Sequence, residues 1–328
     1  MNIYDIAKKA DCSITTISRV LNNSNLVNTK TKTKILSLIK KTNYYPDFFY
    51  KSLAKGKTNL IGVYVFFTDY YETYYFKEIF HGIMDAVSLN DKYNVVVYSP
   101  KLNNNGLPKI LSGFVLIGAD AVSDPIILQN LKKIKEPTVS INNKIKGFNY
   151  IDTNNLVSAY NVVKYLIELG HKNIGFINVK NHENIRERYM GYRKALLENN
   201  INSNCIINLD GSTEIKAYDA VSKWINSNKN KLPTVFFAAT DRIAIGAMKA
   251  LKEKGLKIPE EISIVGFDDI DMSRFIEPNL TTVHQPLYEM GKKAVEILIK
   301  QMEGRQIKLQ QIIMPTNLVK RDSCRKIN

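Results

Sequence analysis

Asn142, Thr240 and Asp268 are polar residues at positions where they could bind a small ligand. Each of them follows an apolar stretch typical of a buried strand. Because the carboxyl ends of parallel strands open onto one crevice, we expect the three side chains to converge there. An amide, a hydroxyl and a carboxylate in such a crevice offer hydrogen bonds to a small ligand. The simpler alternatives are that Asp268 caps a turn and that Thr240 caps the following helix.

A second group of residues lies near the N-terminus. Ile14, Thr15, Ser18 and Arg19 fall on one face of a predicted helix. The guanidinium of Arg19 can bond both acceptors on a guanine edge, and Ile14 suits a thymine methyl group. The alternatives are a phosphate contact or a solvated charge for Arg19, and core packing for Ile14.

Enzymatic function finds no support in the sequence. No GxGxxG, GxxxxGK, HExxH or GxSxG motif occurs. Asp268 and Asp269 are adjacent, so along an extended chain their carboxylates point to opposite sides. The four histidines suggest no pairing with a nucleophile, and the three widely spaced cysteines fit neither a disulfide framework nor a zinc site. We expect no catalysis, no cofactor and no metal.

Positive charge is concentrated at the N-terminus. The chain of 328 residues has a net charge of +15, and residues 1–57 contain 11 Lys and Arg against three Asp. Basic side chains that neutralise phosphates release condensed counterions, so this segment favours a polyanionic partner. A genomic preference for lysine codons is an alternative source of part of the remaining charge.

Length and composition indicate an ordinary globular protein of two or three domains, at roughly 100–200 residues per domain. Hydrophobic residues make up 45% and charged residues 23%. The longest apolar run, 60–67, is far below the ~20 residues of a membrane span. The N-terminus lacks the apolar segment of a signal peptide, and we therefore expect a cytoplasmic location.

Three short helices are expected before Pro46. Ser13 is a plausible N-cap for the second helix, and Asn28 or Thr29 for the third. The second helix is then free to enter a major groove. The first helix is indicated by apolar residues at i, i+3, i+4 and i+7, namely Ile3, Ile6, Ala7 and Ala10.

From residue 60 onward, strands alternate with helices, which predicts an α/β core with a parallel sheet covered on both faces. The expected strands are 60–67, 93–99, 113–117, 137–141, 173–178, 234–238 and 262–267. The expected helices include 75–89, 155–169, 185–199, 241–254 and 287–302.

Several motifs together resemble the LacI/GalR family of transcription regulators. The most specific are the helix TISRVLN at 16–22 and the tract LKIPEEISIVGFDDI at 256–270. The similarity extends through YYP, SLAKGKTNLIGV, ELGHKNIGFI and PNLTTVHQPLYEMGKKAVEIL, and so covers nearly the whole chain.

This resemblance implies a helix-turn-helix domain over 1–45 and a hinge helix with its linker over 46–57. The effector-binding and dimerisation core over 58–328 would resemble periplasmic sugar-binding proteins. Its N-lobe would comprise about 58–154 and 286–315, and its C-lobe about 155–285 and 316–328. The chain would cross between the lobes near Asn154, Gln285 and Pro315.

The resemblance also implies contacts with DNA. Ile14, Thr15 and Arg19 would read base edges, and Leu53 would wedge into the minor groove and kink the DNA. The residues implied near phosphates are Tyr4, Ser13, Thr16, Ser18, Asn22 and Asn28.

For the effector, the resemblance places Asn142 and Asp268 against sugar hydroxyls. Arg188 matches the ligand-binding arginine of the family, with a surface charge as the alternative. Thr240 and Gln285 would line the same cleft. The cluster Tyr70, Tyr71, Tyr74, Tyr75 and Phe76 follows the first strand, where relatives touch effector. Tyr74 and Tyr75 are expected at the ligand, with a role in the core or at the lobe interface as the alternative.

Some residues depart from the pattern of the family. Asp11 replaces the turn glycine, a change that Asp tolerates because it adopts left-handed backbone geometry more readily than most residues. In the hinge, Asp47, Tyr50 and Lys51 stand where Asn and an Ala-Arg pair are common. A bulky Tyr50 puts the detailed hinge contacts in question.

The sequence therefore predicts a repressor that binds a pseudo-palindromic operator as a homodimer and responds to a sugar, with a galactoside as first choice. The tyrosines, the short connection 99–111 and the RDSC motif at 321–324 resemble the galactoside-operon branch. The alternatives are a nucleobase corepressor, a phosphoprotein partner, and a transport binding protein. The last is opposed by the basic N-terminus.

Overall fold

A computed structural model describes residues 3–21, 26–42, 58–66, 74–98, 110–118, 129, 133–180, 182–228, 231–305 and 308–327. The chain divides into two compact units, Met1–Asn59 and Leu60–Asn328. Among the described residues, no helix is both long and apolar enough to cross a membrane.

The described part of the smaller unit contains three helices around a small apolar core. The Ser13 hydroxyl accepts a hydrogen bond from the Thr16 N–H at 3.1 Å, and the Asn28 amide oxygen accepts one from the Thr31 N–H at 2.8 Å. Asp11 has a φ of 54° in the turn between the first two helices, as the sequence suggested. The helices are α1 (Ile3–Ala10), α2 (Ile14–Leu21) and α3 (Thr29–Lys41). Their buried residues are Ile6, Ala7, Ala10, Ile17, Val20 and Ile35.

The larger unit begins with a six-stranded parallel sheet, which we call the N-lobe sheet. Its strand order is β11-β5-β4-β3-β1-β2. The strands are β1 (Leu60–Val65), β2 (Asn94–Tyr98), β3 (Gly113–Ile117), β4 (Thr138–Ile141), β5 (Asn149–Thr153) and β11 (Gln311–Met314).

Two helices, α4 (Tyr74–Ser88) and α9 (Leu287–Met302), pack together in this lobe. Glycines make their close approach possible. A Cβ on Gly82 would lie 1.9 Å from the Tyr288 carbonyl oxygen, and one on Gly291 would lie 2.0 Å from the Ile79 carbonyl oxygen.

A four-stranded parallel sheet, ordered β7-β6-β8-β9, forms the C-lobe. Its strands are β6 (Ile174–Val179), β7 (Ile206–Leu209), β8 (Val235–Ala238) and β9 (Ser263–Val265). Its helices are α5 (Asn155–Glu168), α6 (Glu183–Glu198), α7 (Glu214–Ser227) and α8 (Asp241–Glu253), and a 3₁₀ helix spans Asp271–Arg274.

Both lobes are built from discontinuous segments. The chain leaves the N-lobe sheet after Thr153 and re-enters that lobe with α9 after β10 (Thr282–His284). It then passes from β11 to β12 (Asn317–Val319), which pairs antiparallel with β10. The carboxyl ends of the two parallel sheets are thereby available to form a cleft.

The expected fold class is confirmed, with differences in detail. Within the described residues, all seven predicted strands are present, with ends that differ by at most two residues. Five further strands were not predicted: β5, β7, β10, β11 and β12. They are short, and the two strands β11 and β12 are half-exposed, so they lack the continuous apolar run that marks a buried strand.

Candidate effector cleft and DNA-binding helix

A cavity of about 360 Å³ opens between the two lobes at the carboxyl ends of the strands. Its size is in the range of small-molecule sites, ~300–1,000 Å³. Six of the seven predicted effector residues are in its lining: Tyr74, Tyr75, Asn142, Arg188, Thr240 and Asp268.

Asn142 lies directly after β4 and has a φ of 57°, a left-handed geometry that Asn adopts more readily than most residues. Its backbone carbonyl oxygen accepts a hydrogen bond from Asn184 Nδ2 at 2.8 Å. The residue is 3% exposed, yet neither the amide nitrogen nor the amide oxygen of its side chain has a partner among the described residues. Buried polar atoms are nearly always hydrogen-bonded, so this amide is free to bind a ligand.

Arg188 lies on α6 and is 4% exposed. Its Nε donates to Asn155 Oδ1 at 2.9 Å, and its Nη1 donates to the Ala239 carbonyl oxygen at 2.7 Å. Nη1 also lies 3.4 Å from Asp268 Oδ1, and the guanidinium carbon is 3.7 Å from the centre of the Phe267 ring. The guanidinium is therefore held rigidly by hydrogen bonds, charge and stacking.

Asp268 has a φ of 129° and is 7% exposed. Burial raises the pKa of Asp268, and the Arg188 charge opposes this change. The fully buried Asp241 lies nearby, where burial and then the charge of Asp268 raise its pKa. Asp241 accepts hydrogen bonds from the Ile270 N–H and the Thr282 hydroxyl, so it supports the loop that carries Asp268.

Gln285 is not among the described residues of the cavity lining. It is 2% exposed, and its Nε2 donates to Asp268 Oδ1 at 2.8 Å. Its Oε1 accepts from the Thr153 hydroxyl at 3.0 Å, so Gln285 joins Asp268 to the end of β5. Thr240 combines two roles, because it lines the cavity and its hydroxyl also caps α8 through the Ile243 N–H at 3.3 Å.

The residues of the aromatic cluster have different locations in the structure. Tyr74 and Tyr75 form part of the cavity wall at the start of α4, and Lys77 Nζ lies 5.4 Å from the Tyr74 ring centre. Phe76 is instead buried in the N-lobe core. Tyr70 and Tyr71 lie outside the described residues.

Several lining residues were not predicted from the sequence. The lining residues that follow β6 could have been predicted from the sequence, because that strand was predicted and its carboxyl end faces the cleft. Ser212 and Glu214 could not have been predicted in this way, because the strand that precedes them, β7, was not predicted. Glu214 accepts two hydrogen bonds from Arg242, both at 2.7 Å. The unpredicted polar residues of the lining are Asn143, His182, Glu183, Asn184, Ser212, Glu214 and Arg242.

The N-terminal unit presents the predicted DNA-reading face to solvent. Ile14, Thr15 and Arg19 are exposed, while Ile17 on the opposite face of α2 is fully buried. Tyr4 and Ser13 are also exposed, and Thr16 and Ser18 are half-buried. Asn28 is exposed and uses its amide oxygen as a helix cap. Asn22 and Leu53 lie outside the described residues.

The two units together define a class of protein, the transcription regulators with a helix-turn-helix and a separate ligand-binding domain. Residues 2–47 match the model of bacterial regulatory proteins of the lacI family, and residues 163–324 match a periplasmic binding protein-like domain. The chain belongs to the LacI family of transcriptional repressors, and its relatives are named regulators, not enzymes.

Individual relatives agree with this membership. The chain is 34% identical to the HTH-type transcriptional regulator RegA of Clostridium acetobutylicum, over 99% of both chains. It is similar to the lac repressor dimer bound to operator and the anti-inducer ONPF, with a TM-score of 0.82, 25% identity and 98% of each chain covered. It is also similar to a LacI family regulator from Enterococcus faecium with bound ribose, with a TM-score of 0.72 and 26% identity, covering 82% of this chain and 100% of that one.

Proposed function

We propose that this repressor binds a pseudo-palindromic operator as a homodimer, and that a neutral sugar in the cleft weakens its affinity for the operator. Arg19, Ile14 and Thr15 on the exposed face of α2 would read base edges in the major groove. Tyr4, Ser13, Thr16, Ser18, Asn22 and Asn28 would lie near phosphates, and Leu53 would wedge into the minor groove. A protein that acts on operator DNA would work in the cytoplasm.

The observation that carries the effector proposal is the Asn142 amide, which is buried at the cavity without a partner among the described residues. Beside it, Asp268 can accept and Arg188 can donate hydrogen bonds, which suits vicinal hydroxyl groups. The related regulator with bound ribose supports a sugar in this class of cleft.

The charges of the lining favour a neutral ligand. Both arginines in the described lining face a carboxylate: Arg188 lies beside Asp268, and Arg242 is paired with Glu214. An anionic phosphate or carboxylate would have to compete with these carboxylates for its cations. Among neutral sugars we propose a galactoside, because the tyrosines, the connection 99–111 and the motif at 321–324 resemble the galactoside-operon branch.

A nucleobase corepressor or a phosphoprotein partner would be the alternative effector. A sugar can change operator affinity only through a difference in its affinity for the two arrangements of the lobes. Contacts between Asn142 and Asn184, and between Lys144 and Glu187, join the lobes at the cleft. We propose that ligand binding there shifts the N-lobes of the dimer and disfavours the hinge helices.

The test is the substitution Asn142→Gly, which removes the amide and retains the left-handed backbone. We expect little change in melting temperature, because the side chain has no hydrogen bond among the described residues. Affinity for the sugar should fall by about 1–3 kcal/mol, while operator binding without sugar should stay unchanged. Calorimetry against galactose, lactose and adenine would measure it.

Asn143→Gly is the matched control, since that neighbouring residue also lines the cavity but is only half-buried. Binding of adenine alone, or equal sugar affinity in wild type and Asn142→Gly, would contradict the proposal.

A further inference from the structure

The lining of the cavity combines two chemically different groups of residues. One group has the buried polar side chains of Asn142, Arg188 and Asp268. The other group is half-buried or exposed and apolar, and consists of Ile245, Met272 and Ile276, which we call the outer wall.

The cavity lining extends along more than one turn of helix α8. Thr240 caps this helix, and Ile245 lies five residues further along it, yet both line the cavity. At 1.5 Å per residue, the two positions are ~7.5 Å apart along the helix axis. That distance is greater than the width of a single pyranose ring.

Polar groups accompany the outer wall. Arg242, on the same helix, forms two hydrogen bonds of 2.7 Å with Glu214, and both residues line the cavity. The pair offers a donor and an acceptor edge without net charge. An apolar surface beside such an edge matches a sugar unit, which has a C–H face and a rim of hydroxyls.

We infer that the effector is a neutral disaccharide, with one unit at Asn142, Arg188 and Asp268 and the second on the outer wall. This inference rests on the proposed function, because it assumes that a sugar binds in the cleft. It adds the chain length of the ligand and names Ile245, Met272 and Ile276 as residues that determine specificity.

Calorimetry with the full chain tests the inference on matched pairs: galactose with lactose, and glucose with cellobiose and with maltose. For the sugar that binds, the disaccharide should bind at least about tenfold more tightly than its monosaccharide, equivalent to about 1.4 kcal/mol. Equal affinity within every pair would overturn the two-unit site and leave the sugar proposal intact. Absence of binding by all five sugars would instead overturn the proposed function.

A variant locates the second unit. Ile245→Asn should lower disaccharide affinity about tenfold, because it removes apolar area from the wall, and should lower monosaccharide affinity much less. Ile313→Asn is the control, since Ile313 is 46% exposed on β11 and is not among the described lining residues. If Ile245→Asn does not fold, Met272→Ser serves, because Met272 is 40% exposed. An equal loss for both sugars would contradict the inference.

Discussion

Arg188 shows how one residue serves both the stability of the core and the cleft. Its guanidinium contacts Asn155, the Ala239 carbonyl oxygen, Asp268 and the Phe267 ring. Breaking a buried ion pair by removing one partner leaves the other charge buried without compensation. Alanine at Arg188 or Asp268 is therefore expected to destabilise the fold as well as to remove a ligand contact.

We predict that Arg188→Met lowers the free energy of unfolding of the core by about 3–5 kcal/mol. Arg186→Met on the same helix is the control, because the Arg186 side chain is 64% exposed and its ion pair with Glu183 is at the surface. Urea unfolding followed by circular dichroism would measure both variants. Equal stability of the two variants would mean that the buried pair contributes little.

Arg19 is the residue on which specific DNA recognition is expected to depend. We predict that Arg19→Ala weakens operator binding by about 1–3 kcal/mol, because a guanine loses the two hydrogen bonds that the guanidinium would donate to it. Binding to random DNA should change far less, since phosphate contacts dominate it. Fluorescence anisotropy with both DNAs at one salt concentration would measure this, and equal losses would make Arg19 a phosphate contact.

At the scale of elements, Asp269 joins four segments of the C-lobe. It follows β9 and accepts hydrogen bonds from His284 on β10 at 3.0 Å and from Arg321 near the C-terminus at 2.5 Å. Arg274 of the 3₁₀ helix lies 3.4 Å away. Burial alone raises the pKa of Asp269, but the hydrogen bonds from His284 and Arg321 outweigh it and lower the pKa to about 2.

This cluster predicts a pH dependence of stability. The hydrogen bond to Asp269 raises the pKa of His284 in the folded state. The contribution of His284 to stability is thus fully present below its pKa in the unfolded chain, about 6.5, and is lost as pH rises through its pKa in the folded protein. His284→Asn keeps a donor but cannot take up a proton.

Wild type should therefore exceed His284→Asn in stability most at about pH 6, and the difference should shrink towards about pH 9. Urea midpoints at the two pH values would measure it. Comparing the two proteins removes the contribution of the buried carboxyls, whose raised pKa values also lower stability as pH rises and are common to both. A difference that does not depend on pH would show that His284 does not titrate in this range.

Across the larger unit, several polar contacts among the described residues join the lobes at the cleft. Lys144 Nζ lies 2.5 Å from Glu187 Oε1 across the cleft and 3.7 Å from Asp152 Oδ2 on its own side. Asn184 donates to the Asn142 carbonyl oxygen. Lys77 lies 3.8 Å from Asp271. Burial raises the pKa of Asp152 to about 6, although the Thr153 N–H and Lys144 oppose this.

We predict that Lys144→Met lowers sugar affinity up to about fivefold, since a partly exposed ion pair contributes at most about 1 kcal/mol. The physical reason is that the closed arrangement of the lobes loses one of its contacts. Lys146→Met is the control, because Lys146 is exposed two residues away. Calorimetry would measure both, and unchanged affinity in Lys144→Met would show that this pair does not hold the lobes together.

The fold class and most of the helices and strands are predictable from the sequence. Apolar runs at β1, β3, β4 and β8 mark buried parallel strands, because such strands are apolar on both faces. The same reasoning indicated that Asn142, Thr240 and Asp268 should meet, since they follow strands whose ends lie on one crevice. The cavity lining includes all three.

Which polar groups pair with each other, and which remain available to a ligand, depends on how the chain packs. Gln285 lies next to Asp268 because β10 runs beside the loop that follows β9, two segments whose adjacency no local pattern encodes. Glu214 reaches Arg242 because α7 packs on α8. Among the described residues, packing leaves the Asn142 side-chain amide without a hydrogen-bond partner. Hydrogen bonds over long sequence separations depend on packing, whereas strand and helix periodicities are local properties of the chain.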